Sequence, residues 1–473
     1  MKWVAAVLCV LVVACLSSLG SIGQQIPASP SAPGRWVVPV SAVKDFNEPS
    51  IAVDPNNPLH LVAAFQGNAS VAYSADAGKT WTLATGTAST RYKYSGDVSI
   101  TYDNHGHAVL CYIAMDKLGT SQYWGHDATR NGVFTRRSID GGTSWEKADV
   151  AVLVHPTRPG IPFEDKPYIV ADNNPHSPYF GNLYIGWTQD RLKDAAIIFS
   201  RSTDDGGSWS NAIQISDASM PRDDNGMTEG FDGVVTPDGT LHAIWSGEDN
   251  DIQYTESRDG GRTFAHNRQI VRTGPPRFRL LGFPSRNGVN GYPQIAAIPG
   301  KDGTPSHLYV TWSDFRYGEV DVFCIHSDDE GKTWSSPIKV NSDPAHDGAD
   351  HFFQWLAADP TTGAVYVSFY DRRYDPTGKT AQVMLARSVD DGHSFKNYVW
   401  GVDQFNAMDV VLGDYTGLTA FGGCVYGVWT ETRSITASSA LRASNFDEEH
   451  LRFPPTVVLV GGANFKTSAS CGR

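Results

Sequence analysis

One eight-residue pattern, S-x-D-x-G-x-[S/T]-[W/F], occurs six times: Ser74 to Trp81, Ser138 to Trp145, Ser202 to Trp209, Ser257 to Phe264, Ser327 to Trp334 and Ser388 to Phe395. At average residue frequencies a single chance match in a chain this long has odds on the order of one in a thousand. The copies start 64, 64, 55, 70 and 61 residues apart, so each marks one structural unit. Their chemistry is that of a hairpin turn. The Asp carboxylate accepts backbone N–H groups, Gly takes the positive-φ position, and the hydroxyls close the loop.

The residues upstream of each copy also repeat. The fifth unit reads PQIAAIP, HLYVTWSD, DVFCIHS, the turn, then SSPIKV, which is four short strands. A seventh copy runs LGDYTGLTAF, CVYGVWTETR and SSALRAS, with its turn decayed to Ser444-Asn445-Phe446-Asp447. Four-stranded units in sequence predict an all-β fold, a β-propeller, in which only short strand edges stay exposed. The expected ring has seven blades, with six as the alternative. Closure needs one blade built from both termini. Trp36 to Val40 fits as the outer strand of blade seven, and Pro455 to Val460 competes for that place. The 46 Gly, 27 Pro and 13 Trp suit such a turn-rich protein.

With 41% hydrophobic residues and no long like-charge runs, the chain can bury a core and is not disordered. Its formal charge of −13 argues against general nucleic-acid binding, which needs Lys and Arg against phosphate. Lys2 followed by the apolar run Trp3 to Leu16 has the pattern of a secretory signal and is too short to span a bilayer. Residues 1–23 are expected to be that signal, 24–35 a Pro/Ser/Ala-rich linker and 36–473 one propeller domain. Val12-Val13-Ala14-Cys15 is similar to a lipoprotein lipobox, in which Cys15 would carry a lipid, the only expected link to a membrane. That lipoprotein signal would end before Cys15 and is the alternative to a plain cut near Gln24. The mature chain is expected outside the cytoplasm. Cys111, Cys324 and Cys424 sit in apolar strands and read as buried small hydrophobes, and with Cys471 they form no disulfide framework.

If strands a to d run outward from the axis, the six turns join c to d. The opposite face then carries the b–c and d–a loops. In four blades strand b ends in an aromatic followed by an acid and an arginine, placing Arg191, Arg316, Arg373 and Arg433 on that face. Arginine meets a carboxylate with two parallel hydrogen bonds, so these residues could bind an acidic sugar. The other reading is a set of Asp–Arg pairs bracing the blades. Aligned strand-a starts put Glu48, Asp97, Lys166, the neighbour of Glu229, Tyr292, Phe353 and Tyr415 at the channel mouth, with Asp165, Asp232, Asp350, His351 and Asp414 in adjoining loops. Such a mouth must be paired, solvated or used. No cofactor is required. A structural cation could sit at the axis, but no ligand spacing demands a metal.

The six turns resemble the Asp-box (BNR) repeats of the sialidase superfamily, whose boxes lie opposite the active site. The resemblance implies a structural role for the boxes and glycan chemistry at the other mouth. Tyr415-Thr416-Gly417-Leu418 is similar to the Tyr-Ser-x-Leu segment that holds the sialidase nucleophile. By the same likeness Glu229 would be its base, Asp97 the acid/base, and Arg316 and Arg373 carboxylate-binding arginines. Where sialidases carry Phe/Tyr-Arg-Ile-Pro, this chain has Phe46-Asn47-Glu48-Pro49, without the arginine. The expectation is a secreted, sialidase-like glycoside hydrolase acting on an acidic extracellular glycan. Its rivals are a non-catalytic glycan- or protein-binding propeller and a polysaccharide lyase using Arg316 or Arg373 with Tyr415 or His351.

Overall fold

A computed structural model describes residues 28–42, 47–118, 130–155, 162–191, 194–217, 220–221, 228–247, 250–274, 277–278, 280, 289–301, 303–408, 410–432, 455–466 and 471. Among the described residues seven antiparallel sheets each carry four strands in order from the axis outward, and a separate two-stranded sheet pairs Arg277–Phe278 with Val289–Asn290. The ring therefore has seven blades rather than six. The innermost strands are Ser50–Val53, Tyr94–Tyr102, Phe163–Ala171, Glu229–Val235, Gln294–Ile298, His351–Asp359 and Gly417–Phe421. Each packs against the next, and the seventh returns to the first, so the ring is closed.

The second strand of each blade is covered on both faces by neighbouring blades. Ala108–Met115 is buried at every position, and so is Ala364–Asp371, which is why these segments read as continuous apolar runs rather than alternating ones. Blade 7 is assembled from both ends of the chain. Gly417–Phe421 and Cys424–Thr432 are followed by Thr456–Asn464 as third strand, and Trp36–Pro39 pairs with Thr456–Asn464 as the outermost. Both terminal segments thus find a place. Thr456–Asn464 takes the third position that the sequence reading gave to SSALRAS, and that segment and the decayed turn lie outside the described residues. Pro39 is tolerated because it sits on an edge.

Two further expectations change. Part of the supposed linker packs on blade 6, where Ala32 N and Val399 O are 2.9 Å apart and Val399 N reaches Pro30 O at 2.8 Å. Cys424 is not a free buried thiol but is joined to Cys471 by a disulfide, whereas Cys111 and Cys324 are buried and free.

The six repeated turns share one geometry. In the third, Ser202 Oγ donates to Asp204 Oδ1 at 2.7 Å and receives Gly206 N–H at 2.9 Å. Asp204 also accepts Ser208 N–H at 2.9 Å and the Ser208 hydroxyl at 2.6 Å. All six join strands c and d, so they occupy the face opposite the strand-a starts.

Candidate functional site at the axial mouth

The mouth is built by a bulge repeated at the head of the innermost strands. Pairing with the second strand slips at Asp97–Val98, Lys166–Pro167, Gly230–Phe231 and Phe353–Gln354. The first residue of each slip has positive φ: 47° at Asp97, 47° at Lys166, 80° at Gly230 and 50° at Phe353. Glu48, just before the blade 1 strand, matches them at 50°. Bulges of this kind re-aim a side chain, and holding a bulky residue there carries a conformational cost of about 1–3 kcal/mol. Repetition around the ring gathers residues from six blades.

Lys166 marks the centre. Its ammonium, from blade 3, lies 3.9 Å from the Tyr292 ring centroid ahead of blade 5 and 4.8 Å from that of Tyr415 ahead of blade 7. Its backbone N–H donates to Asp97 Oδ2 of blade 2 at 3.3 Å. Tyr292 donates its hydroxyl to Glu229 Oε2 of blade 4 at 2.5 Å. Asp414 N–H reaches Glu48 Oε1 at 3.2 Å, joining blade 7 to blade 1. Beneath this polar layer Tyr168 packs on Trp355 with centroids 5.6 Å apart, and Trp355 packs on Tyr415 at 6.2 Å.

The acids share protons. Burial, then the Asp414 charge, pushes Glu48 up to about 8. Burial and Glu48 push Asp97 up to about 7. Burial and then the Asp97 charge raise Asp165 well above its ordinary value. Like charges this close cannot all ionise, so the mouth holds protonated carboxyls near neutral pH. Burial and then Glu48 also raise the Tyr415 phenol, whose hydroxyl donates to Val98 O at 3.3 Å.

The structure thus brings together Glu48, Asp97, Asp165, Lys166, Glu229, Tyr292, Asp414 and Tyr415. Within this group Glu229 is hydrogen-bonded to Tyr292 rather than to Tyr415. The arginines are arranged differently from the substrate-binding expectation. Arg316 Nε reaches both Asp314 oxygens at 2.9 Å, and its guanidinium lies 4.4 Å from the Phe323 ring centroid. Arg373 is buried, with Nε 2.6 Å from Asp371 Oδ2 and Nη2 3.1 Å from Asp343 Oδ1. Arg191 spans its own sheet to Gln189 at 2.8 Å and Gln214 at 3.1 Å. Arg316 and Arg373 thus each pair with the aspartate two residues before them, Arg191 reaches two glutamines, and Arg433 lies outside the described residues.

Asp232 accepts Ile295 N–H at 2.8 Å and Gly233 N–H at 2.7 Å, tying blade 4 to blade 5 rather than facing the mouth. Asp350 accepts Val320 N–H at 3.1 Å, and His351 is fully buried between blades 5 and 6. Sequence reasoning missed the aromatic floor of Tyr168 and Trp355, although both lie two residues beyond a bulge position. It also missed Gln354, which donates to Tyr292 O at 2.7 Å and Gln294 Oε1 at 2.9 Å.

No family model matches the chain, and no curated protein does. Solved structures of similar architecture include a sialidase from Streptococcus pneumoniae, at 13% identity over 80% of this chain and 71% of that one, TM-score 0.49. A polysaccharide lyase described as an ulvan lyase aligns over 83% of this chain and 93% of its own at 11% identity, TM-score 0.47. YCF48 bound to D1 peptide aligns over 93% and 99% at 13% identity, TM-score 0.44. At these identities the likeness is one of fold.

Proposed function

We propose that the axial mouth is the active site of a glycoside hydrolase acting on an acidic, extracellular glycan. The observation that carries this reading is the Tyr292 hydroxyl 2.5 Å from Glu229 Oε2, in the mouth where Asp97 holds a proton up to about pH 7. Cleaving a glycosidic bond requires an acid at the leaving oxygen and a group to meet the oxocarbenium-like carbon. Asp97 would donate its proton to the leaving oxygen. Tyr292 would attack the anomeric carbon while its phenolic proton passes to Glu229. Water would then release the sugar with Asp97 acting as base.

A phenol suits a substrate that carries its own carboxylate, because it attacks without bringing a second negative charge against the first. Lys166 supplies positive charge beside both tyrosines. With Arg316 held by Asp314 and Arg373 held by Asp371 and Asp343, the lysine takes the role that the resemblance gave to those arginines. An extracellular location is supported by the apolar N-terminal run and by the Cys424–Cys471 disulfide, a bond that persists in oxidising compartments. A lipid on Cys15 would tether the protein to a surface.

The test is a screen of the purified chain against fluorogenic sialosides, arabinosides and uronate polymers. Release that disappears in Asp97→Asn and Glu229→Gln while substrate binding persists supports the proposal. Binding without turnover by the wild type would replace it with a binding propeller, and an unsaturated uronate product would replace it with a lyase.

A further inference from the structure

A second polar cluster, away from the axial mouth, lies between blades 5 and 6. Asp321 opens the third strand of blade 5, Asp343 lies in the connection to blade 6, and His351 opens the innermost strand of blade 6. All three side chains are completely buried, and they offer ligand atoms within 4.8 Å of one another.

Several atoms in this cluster lack the partners that burial requires. Asp321 Oδ2 and Asp343 Oδ2 accept no hydrogen bond, and His351 Nε2 makes none that is well directed. The other oxygens are satisfied, since Asn341 Nδ2 donates to Asp321 Oδ1 at 2.7 Å and to Asp343 Oδ1 at 2.8 Å. Buried orphan acceptors are costly, so a cluster with several of them is arranged for a further positive partner. His351 Nδ1 lies 3.2 Å from Val320 O and 3.2 Å from Asn341 Nδ2; a metal-bound imidazole would keep its proton on Nδ1, toward Val320 O, and present the Nε2 lone pair to the ion. Nε2 is 3.3 Å from Asp343 Oδ1, close to the edge of a tetrahedron with metal–ligand bonds of about 2.0 Å.

Lys339 holds the place of the cation. Its ammonium is 2.9 Å from Asp321 Oδ1 and 3.8 Å from Asp343 Oδ2. It stands on the two-residue outer strand Ile338–Lys339, with its stem partly exposed and its ammonium buried, so releasing it would require turning this one side chain outward. Three aspartates, counting Asp371 at 3.3 Å from His351 Nε2, face two fixed cations, Lys339 and Arg373. Exchanging the lysine for a divalent ion bound by a neutral imidazole balances the three carboxylates with Arg373.

We propose that Asp321, Asp343 and His351 form a structural site for a first-row divalent cation, Zn2+ before Mn2+, with Lys339 as its displaceable stand-in. Two carboxylates and an imidazole suit Zn2+ and Mn2+, whereas Ca2+ takes oxygen ligands only. The bound ion would clamp blade 5 to blade 6.

The experiment uses the untagged full-length chain, stripped with chelator and titrated with ZnCl2 by calorimetry at fixed pH, with Co2+ absorption reporting the ligand set. The wild type should take up one ion and show a raised thermal midpoint. Asp343→Asn and His351→Gln should lose that uptake. Lys339→Met should bind about tenfold tighter or more, because a competing positive charge is gone. If the first two variants fail to fold by near-UV circular dichroism, Lys339→Met decides alone, since it alters a partly exposed side chain. No uptake by the wild type, uptake undiminished in folded Asp343→Asn, or unchanged affinity in Lys339→Met would each overturn the proposal.

Discussion

Tyr292 and Glu229 belong to neighbouring blades and are joined by a 2.5 Å hydrogen bond at the axial mouth. Gly230 makes the contact possible. At φ +80° it occupies the bulge position, and a Cβ there would lie 2.7 Å from Tyr292 Cγ. The bulge therefore brings Glu229 to the tyrosine while keeping any side chain out of the ring's path.

Under the proposed chemistry this pairing ranks the two mouth tyrosines. Tyr292→Phe should lower kcat by about 100-fold or more, the scale of a lost positioned proton transfer. Tyr415→Phe should cost less, since its hydroxyl donates to a backbone carbonyl and its phenol is raised by burial and then by four neighbouring acids. Steady-state kinetics on both variants, with folding checked by circular dichroism, makes the comparison. A larger loss in Tyr415→Phe would restore the pairing that the sequence resemblance implied.

The mouth also sets a pH dependence of stability. Glu48 and Asp97 are raised from ordinary values of 4.5 and 3.8 to about 8 and about 7, so between those limits the folded chain binds more protons than the unfolded one. Stability contributed by the protonated forms is present in acid and declines as pH rises through that window. The turn aspartates act in the opposite sense. Asp259 and Asp329 are lowered to about 2, despite partial burial, by hydrogen bonds from Thr263 and Thr333, and their contribution is lost as pH falls toward that value. From these groups the thermal midpoint should therefore be highest near pH 4 and fall until about pH 8. In Glu48→Gln and Asp97→Asn the alkaline fall should flatten. An unchanged slope in both variants would mean that other groups set it.

Removing one box hydroxyl tests the structural role of the repeated turns. Ser202 Oγ is the buried acceptor for Gly206 N–H and the donor to Asp204. Ser202→Ala orphans that N–H and should cost about 1–3 kcal/mol, read as a lower urea midpoint at unchanged slope. Activity per folded molecule should not change, because the turn faces away from the mouth. Reduced turnover at full folding would show that the boxes reach the site.

The turns made the blade count legible, because hairpin chemistry is local and each copy carries its own glycine and carboxylate. The axial residues were legible for a related reason: the bulge recurs at one register position, so aligning strand starts found Glu48, Asp97, Lys166 and Phe353. Two features were hidden. Glu229's choice of Tyr292 over Tyr415 depends on how far each loop carries its ring across the axis, which spacing does not encode. For the third strand of blade 7 the regular interval points to SSALRAS, whereas among the described residues Thr456–Asn464 holds that position. The aspartate–arginine pairs were legible as pairs, but only coordinates could show them closed upon themselves.

Ring closure gives the last prediction. Trp36–Pro39 supplies the outer strand of blade 7, and the Trp36 ring fills space that a Cβ would invade at Gly78 of blade 1, 2.6 Å away, and at Gly462 of blade 7, 2.3 Å away. One side chain thus seals the seam between the first and last blades. Cys424–Cys471 fastens the end of the same blade. Trp36→Ala should cost on the order of 2–4 kcal/mol by opening a cavity at the seam, and loss of the disulfide should cost about 2–4 kcal/mol by freeing the unfolded chain. Both act on one blade, so the double variant should depart from additivity by more than about 0.5 kcal/mol. Chemical denaturation of the two single variants and the double variant measures that coupling. Simple additivity would mean that blade 7 is held at two independent places, and that the seam does not depend on the C-terminal tether.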